Sequence, residues 1–152
     1  MIPLKTQPLL TLKGEVAKPL EIGALPYGKR RIIPISGGTF EGPKLHGKVL
    51  PTGGDWMLVR PDGVAQIDVR ATLETDDGAL IYMHYGGFRH GPPAVMDKIA
   101  RGEEVDPSTY YFRITPVFET ASPDYAWLNR IVTVGIGDKL PEGPVYYIYE
   151  VL

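Results

Sequence analysis

The sequence predicts an all-β protein: a single closed antiparallel meander β-barrel with one short helix. Three observations carry this expectation. The apolar runs are short and rich in Val, Ile, Tyr and Thr, Gly, Pro and Asp punctuate them, and helical periodicity is almost absent. Strands are expected at 9–16, 30–36, 45–50, 55–60, 64–75, 79–88, 109–118, 126–135 and 145–151. The connections are mostly short, which makes sequential neighbours antiparallel partners. So many strands without a linker fit a barrel or a sandwich, and closure favours the barrel because it removes exposed edges. The one helix is expected over 93–101, opened by Pro92-Pro93 and closed by Gly102. Val95, Met96 and Ile99 give it a short apolar face suited to lie over a barrel mouth.

Composition narrows the class. A chain of 152 residues is expected to form one domain, 1–152, with a core large enough to need no staple. Sixteen Lys and Arg against eighteen Asp and Glu give a net charge of −2, which argues against a nucleic-acid partner. The chain has no cysteine, so disulfides, Cys-ligated metals and thiol nucleophiles are excluded. No run approaches the roughly 20 apolar residues of a membrane span, and the start MIPLKTQPLLTLKGE lacks a signal-peptide core. The expectation is a cytoplasmic protein with no membrane partner.

Cofactor-binding patterns are missing as well. His46, His84 and His90 share no metal-ligand spacing with a carboxylate, and Ser36, Ser108 and Ser122 sit in ordinary turns without a nucleophile elbow. The pairs Gly37-Gly38, Gly53-Gly54 and Gly86-Gly87 do not open helices, so they read as bulges or corners rather than phosphate cradles. No metal and no cofactor are expected.

Two loops register the central sheet. Pro61-Asp62-Gly63 and Asp76-Asp77-Gly78 both read as three-residue hairpin connections with Gly in the left-handed position. They set Leu58 opposite Gln66, Trp56 opposite Asp68, Leu73 opposite Ile81, Thr72 opposite Tyr82 and Arg70 opposite His84. One face then carries Met57, Val59, Ile67, Val69, Ala71, Leu73, Ile81, Met83 and Tyr85, which is a core face. The other carries Trp56, Leu58, Arg60, Gln66, Asp68, Arg70, Thr72, Tyr82 and His84. This second face is either a solvated exterior or, because Trp56 and Tyr82 stand among charges, the wall of a pocket or an interface. The alternation does not say which side is inside.

Two later stretches add candidates. On 109–118, Tyr111 and Arg113 share a face opposite Tyr110 and Phe112. On 126–135 and just before it, Tyr125, Trp127 and Asn129 align. Phenol, guanidinium, indole and carboxamide so arranged suit a pocket for an aromatic or carbonyl-bearing ligand; the alternative is a Tyr- and Trp-rich core with polar tips at its rim.

The order of motifs is more specific than any one of them. Gly53-Gly54-Asp55-Trp56, Arg60-Pro61-Asp62-Gly63, Ile67-Asp68-Val69-Arg70 and Asp77-Gly78-Ala79-Leu80-Ile81 are followed by Tyr110-Tyr111-Phe112-Arg113, Phe118-Glu119-Thr120 and Tyr125-Ala126-Trp127-Leu128-Asn129-Arg130. From about Gly14 to Val151 the chain resembles an uncharacterised β-barrel family, domain of unknown function 3237. The resemblance implies an antiparallel barrel of lipocalin-like outline, and members occur near catabolic or natural-product genes, an association with small-molecule chemistry. Trp56, Asp68, Arg70, Arg89, Tyr111, Arg113, Glu119, Trp127 and Asn129 match its pattern; no catalytic role transfers with them.

The functional expectation is a barrel that binds a small, partly hydrophobic, oxygen-bearing molecule, aromatic or polyketide-like, and acts as a cofactor-free lyase, isomerase or cyclase. Asp68 or Glu119 is the candidate base and Tyr111 the candidate acid. Trp56, Arg70, Tyr82, His84, Arg89, Arg113, Trp127 and Asn129 are the candidate binding residues. The alternatives are a carrier barrel without turnover and a structural module that dimerises through the Trp56–Asp68–Arg70 face.

Overall fold

Both predicted hairpin loops form as expected. Arg60 N–H donates to Val64 O and Thr75 N–H to Ala79 O, each at 2.9 Å. Gly63 and Gly78 take φ of 86° and 90°, the left-handed region that closes such turns. The computed structural model describes residues 1–152 and contains β1 (Thr6–Val16), β2 (Leu20–Leu25), β3 (Gly28–Glu41), β4 (His46–Val59), β5 (Ala65–Thr75) and β6 (Leu80–His90). After helix α1 (Pro93–Ala100) come β7 (Tyr111–Glu119), β8 (Val132–Leu140) and β9 (Gly143–Val151). Leu58 pairs with Gln66, Leu73 with Ile81, Thr72 with Tyr82 and Arg70 with His84. Trp56 lies between the pairs Asp55–Val69 and Leu58–Gln66, on the same outer face as Asp68.

The strands run antiparallel in the order β1-β9-β8-β7-β6-β5-β4-β3, and β3 pairs back onto β1 to close an eight-stranded barrel. β2 stands outside that ring. It pairs only with the first part of β3, from Gly28 to Ile32, whereas β1 takes the later part, from Ile35 to Glu41. No helix is long and apolar enough to cross a membrane.

Three predicted elements differ. Segments 45–50 and 55–60 are one strand, β4, whose register shifts between Val49 and Gly53, where Gly53 has φ of 84°. The shift gives the appearance of a break in the apolar pattern. The segment from 126 is not extended: a 3-10 helix spans Pro123–Arg130, with Pro at its first turn, and β8 begins only at Val132. β2 is an addition, since Leu20 and Ile22 are both exposed and show no buried alternation.

The two ends of the barrel are filled differently. One end is filled by Phe40, Leu45, Leu73, Ile81, Met83, Phe118, Leu128 and Ile148, each at most 4% exposed. Toward the other end the inward positions of β5 and β6 include Ala65, Ala71 and Gly87. An eight-stranded barrel is only just wide enough for its own side chains, so small residues there leave space that large ones would fill. α1 lies over this looser end. Val95, Met96 and Ile99 pack against the core cluster, although no residue of the helix is fully buried.

Candidate functional site

The looser end holds a cavity of about 570 Å³. Its walls are the expected core face, Met57, Val59, Ile67, Val69, Ala71 and Tyr85, together with Leu12, Phe112 and Tyr146. Residues 15–19, the end of β1 and the turn into β2, frame the mouth, and Met96, Ile99 and Ala100 of α1 cover part of it. The volume falls within the roughly 300–1,000 Å³ of pockets that hold small molecules.

A few polar groups stand on this apolar wall. Asp55 shares the inward parity of Met57 and Val59, and the register places it in one row with Ile33, Val69 and Tyr85. Its Oδ1 accepts a hydrogen bond from the Asp68 backbone N–H at 3.0 Å. Burial pushes the Asp55 carboxyl up to about 6; the Asp68 amide and the Arg89 charge oppose that rise without cancelling it. Arg89 lies two inward positions beyond Tyr85, opposite Ala65 and Phe112. Its guanidinium carbon is 5.4 Å from the centre of the Phe112 ring. Cavity space reaches part of the side chain, yet the protein encloses it enough that burial is the largest influence, lowering its pKa.

Two phenols complete the wall. The rings of Tyr85 and Tyr146 meet edge to face at 5.2 Å, and Tyr146 meets Phe112 in the same way at 5.4 Å. Burial drives both hydroxyls well above the ordinary tyrosine value, so they hold their protons across the neutral range. Arg31 and Lys139 also line the cavity, and burial lowers the Lys139 pKa. The arrangement therefore offers one acid-base group that titrates near neutrality, proton-holding phenols and buried positive charge.

Of the residues singled out in the sequence, Arg89 lines this cavity. The others lie elsewhere. Trp56, Asp68, Arg70 and His84 gather on the outside of the same sheet: His84 Nε2 is 3.3 Å from Asp68 Oδ1, Arg70 Nη1 is 3.6 Å from that oxygen, and the Arg70 guanidinium sits 5.9 Å from the Trp56 ring. Tyr111 is 45% exposed and stacks on His90, and the Arg113 guanidinium carbon lies 5.0 Å from the centre of its ring. Tyr82, Glu119 and Asn129 border a separate shallow groove on the exterior. Asn129 there clamps the backbone of Thr120, donating to its carbonyl at 2.9 Å and accepting from its N–H at 2.8 Å. Trp127, in the 3-10 helix, carries the Lys44 ammonium over its ring at 4.9 Å.

Asp68, Arg70, Tyr111 and Arg113 thus do not converge in the large cavity. Alternation is the reason: each shares parity with solvent-facing neighbours, while the apolar face turns inward. Asp55, Arg31, Lys139 and Tyr146 are polar lining residues that the sequence alone does not single out, and it gives Tyr85 only a core role. One signal was available for Asp55. It is an ionisable residue at a position whose parity, in the expected register, belongs to the apolar face, and such residues are rarely buried without a reason.

An antiparallel barrel packed solid at one end and hollow at the other, with a few charges on an apolar chamber wall, defines a chambered β-barrel. Within that class the chain belongs to the family described as protein of unknown function (DUF3237), which matches residues 4–151. A UPF0311 protein of Rhodopseudomonas palustris is 38% identical over 98% of this chain and 97% of its own length. The crystal structure of a conserved R. palustris protein of unknown function covers both chains fully with a TM-score of 0.97. A β-barrel-like protein of Acinetobacter baumannii is 46% identical, with a TM-score of 0.87 over 100% of this chain and 98% of that one. A structure described as an enzyme from Penicillium herquei shares the fold at a TM-score of 0.77 over 100% and 97% of the two chains. At 18% identity that likeness is one of architecture.

Proposed function

We propose that the cavity binds one small, partly hydrophobic, oxygen-bearing molecule and that Asp55 transfers a proton on it without a cofactor. The observation that carries this reading is the placement of Asp55 and Arg89 on the wall of one apolar chamber. A carboxyl with a pKa of about 6 is divided between acid and base near neutral pH, where general acid-base catalysis is most effective. Arg89 anchors the oxygen-bearing end of the ligand. Tyr85 and Tyr146, still protonated, donate hydrogen bonds to an oxygen that gains charge as the proton leaves carbon or hydroxyl. Elimination, isomerisation and cyclisation all fit this set. The apolar walls exclude water and hold the body of the molecule.

The experiment is a thermal-shift screen of phenols, lactones and β-dicarbonyl compounds, followed by mass and chromatographic analysis of the binders after incubation. Conversion by the wild type, with Asp55→Asn binding the same compound but not converting it, is the expected result. Binders recovered unchanged from the wild type across the pH range would leave a carrier barrel instead.

A further inference from the structure

Arg89 differs from the other cations on the chamber wall. Arg31 has its Nε committed to Glu21 Oε1 at 2.7 Å, and the Lys139 ammonium donates to Leu140 O at 2.9 Å. Asp55, the one acid deep in the chamber, uses Oδ1 on the Asp68 amide. Glu15, at the end of β1, and Lys18 and Glu103, on segments outside the barrel ring, also line the chamber. The guanidinium of Arg89 makes no hydrogen bond and no ion pair within the protein; the Phe112 ring is its contact. An arginine carries five N–H donors in a planar fork, and those of Arg89 open onto the chamber, since no buried side-chain nitrogen is left without a partner. The group that best fills such a fork is a planar pair of equivalent oxygens sharing one negative charge.

We infer that the ligand of this chamber is an organic carboxylate, held by its two oxygens on the Arg89 guanidinium with its apolar body against Met57, Ile67, Val69 and Phe112. The inference rests on the proposed pocket reading and names the ligand class for it. Charge agrees: Lys18, Arg31, Arg89 and Lys139 line the chamber against Glu15, Asp55 and Glu103, an excess of one positive charge that a monoanion neutralises. Shape agrees as well, because the remaining wall offers mainly hydrocarbon to the rest of the molecule. Asp55, in the row of Tyr85 and two inward positions deeper than Arg89, then faces the body of the ligand rather than its carboxylate.

Matched probes test this without knowledge of the natural ligand. Naphthoate and naphthamide, and pyrenecarboxylate and pyrenecarboxamide, have nearly the same shape in each pair and differ in charge. Titration calorimetry at neutral pH should show the wild type binding each carboxylate at least about tenfold tighter than its amide, as expected for a charge-assisted pair. Arg89→Gln should erase that preference, each carboxylate then binding no tighter than its amide. Arg89→Lys, which keeps the charge but loses the fork, should lose most of it. Equal binding of acid and amide by the wild type would overturn the carboxylate assignment while leaving the pocket reading intact. Failure of all four probes to bind the wild type would overturn both. Because the wild-type comparison decides by itself, poor folding of an Arg89 variant would not protect the inference.

Discussion

Asp55 and Asp68 are thirteen residues apart, lie on neighbouring strands and share a hydrogen bond, yet the barrel wall stands between their carboxyl groups. Inside, Asp55 faces hydrocarbon and phenols and rises to about 6. Outside, the Asp68 carboxylate is half exposed and finds His84 and Arg70 as partners, in reach of water. The same residue type on the same sheet is put to two uses by the parity of its position alone. A surface cluster of Asp, His and Arg has a site-like composition but is screened by solvent, whereas one carboxyl enclosed by an apolar wall has its pKa raised.

The strongest test of this contrast removes part of the wall that encloses the interior. Phe112 is 1% exposed and touches both Tyr146 and Arg89. Phe112→Ala should cost about 3–5 kcal/mol in urea unfolding, the usual range for a buried phenylalanine. A cost below about 1 kcal/mol would mean that the chamber end contributes little to the fold.

Asp55→Asn should act in the opposite direction. Folding raises the Asp55 pKa from 3.8 to about 6, so between those values the native state binds more protons than the unfolded one. Stability therefore falls as pH rises from about 4 to 6, then levels. The amide can still accept from the Asp68 N–H while carrying no charge. The variant should be more stable than the wild type by up to about 3 kcal/mol at about pH 8, and the two should converge near pH 4. Arg89, Tyr85, Tyr146 and Asp68 are the charged or titratable groups whose fields Asp55 shares, and only Arg89 among them favours its charged form. Parallel stability-pH curves for the two proteins would place Asp55 in a wet environment and end the contrast.

Outside, the effects should be small. Asp68→Asn keeps the backbone amide that Asp55 uses, and with His84→Ala it should change stability by less than about 1 kcal/mol. The affinity of any chamber ligand should not change. A tenfold loss of affinity in either variant would bring the outer cluster back into the site. The least thermodynamic effect is expected at the cover: Ile99→Ala should shift unfolding by about 1 kcal/mol or less, since no residue of α1 is fully buried. Stopped-flow displacement should nevertheless show ligand leaving severalfold faster, as loss of part of the cover would require.

The meander β4–β5–β6 was legible because both loops have turn chemistry that admits one register, and its apolar face was then coherent. β2 was not, because its role is to extend the sheet beyond the ring: Leu20 and Ile22 point to solvent and leave no period to detect. The Tyr125–Asn129 run misled for a different reason. Its aromatic composition suits a strand, but Pro123 begins a 3-10 turn and the Asn129 amide fixes it to Thr120 through contacts that lie nine residues apart. At the site, polar residues drew attention to the exterior because the sequence has many of them there. The informative residue was the rarer one, a carboxylate in apolar parity, and its meaning depended on which face closed inward.

The division of β3 between two partners has a consequence for how such a barrel can vary. β1 seals the half of β3 from Ile35 to Glu41, and β2 continues the sheet over the half from Gly28 to Ile32, where Arg31 reaches Glu21. The closed ring does not require β2. Ala17 N–H is the last β1-side donor to β3, reaching Pro34 O at 2.9 Å, so residues 18–27 can lengthen, shorten or change composition without breaking a ring-closing pair. Those residues adjoin the mouth of the chamber. Much of the chain beside the mouth is therefore free of ring-closing pairs, and a library confined to 18–27 should yield folded proteins with an altered mouth.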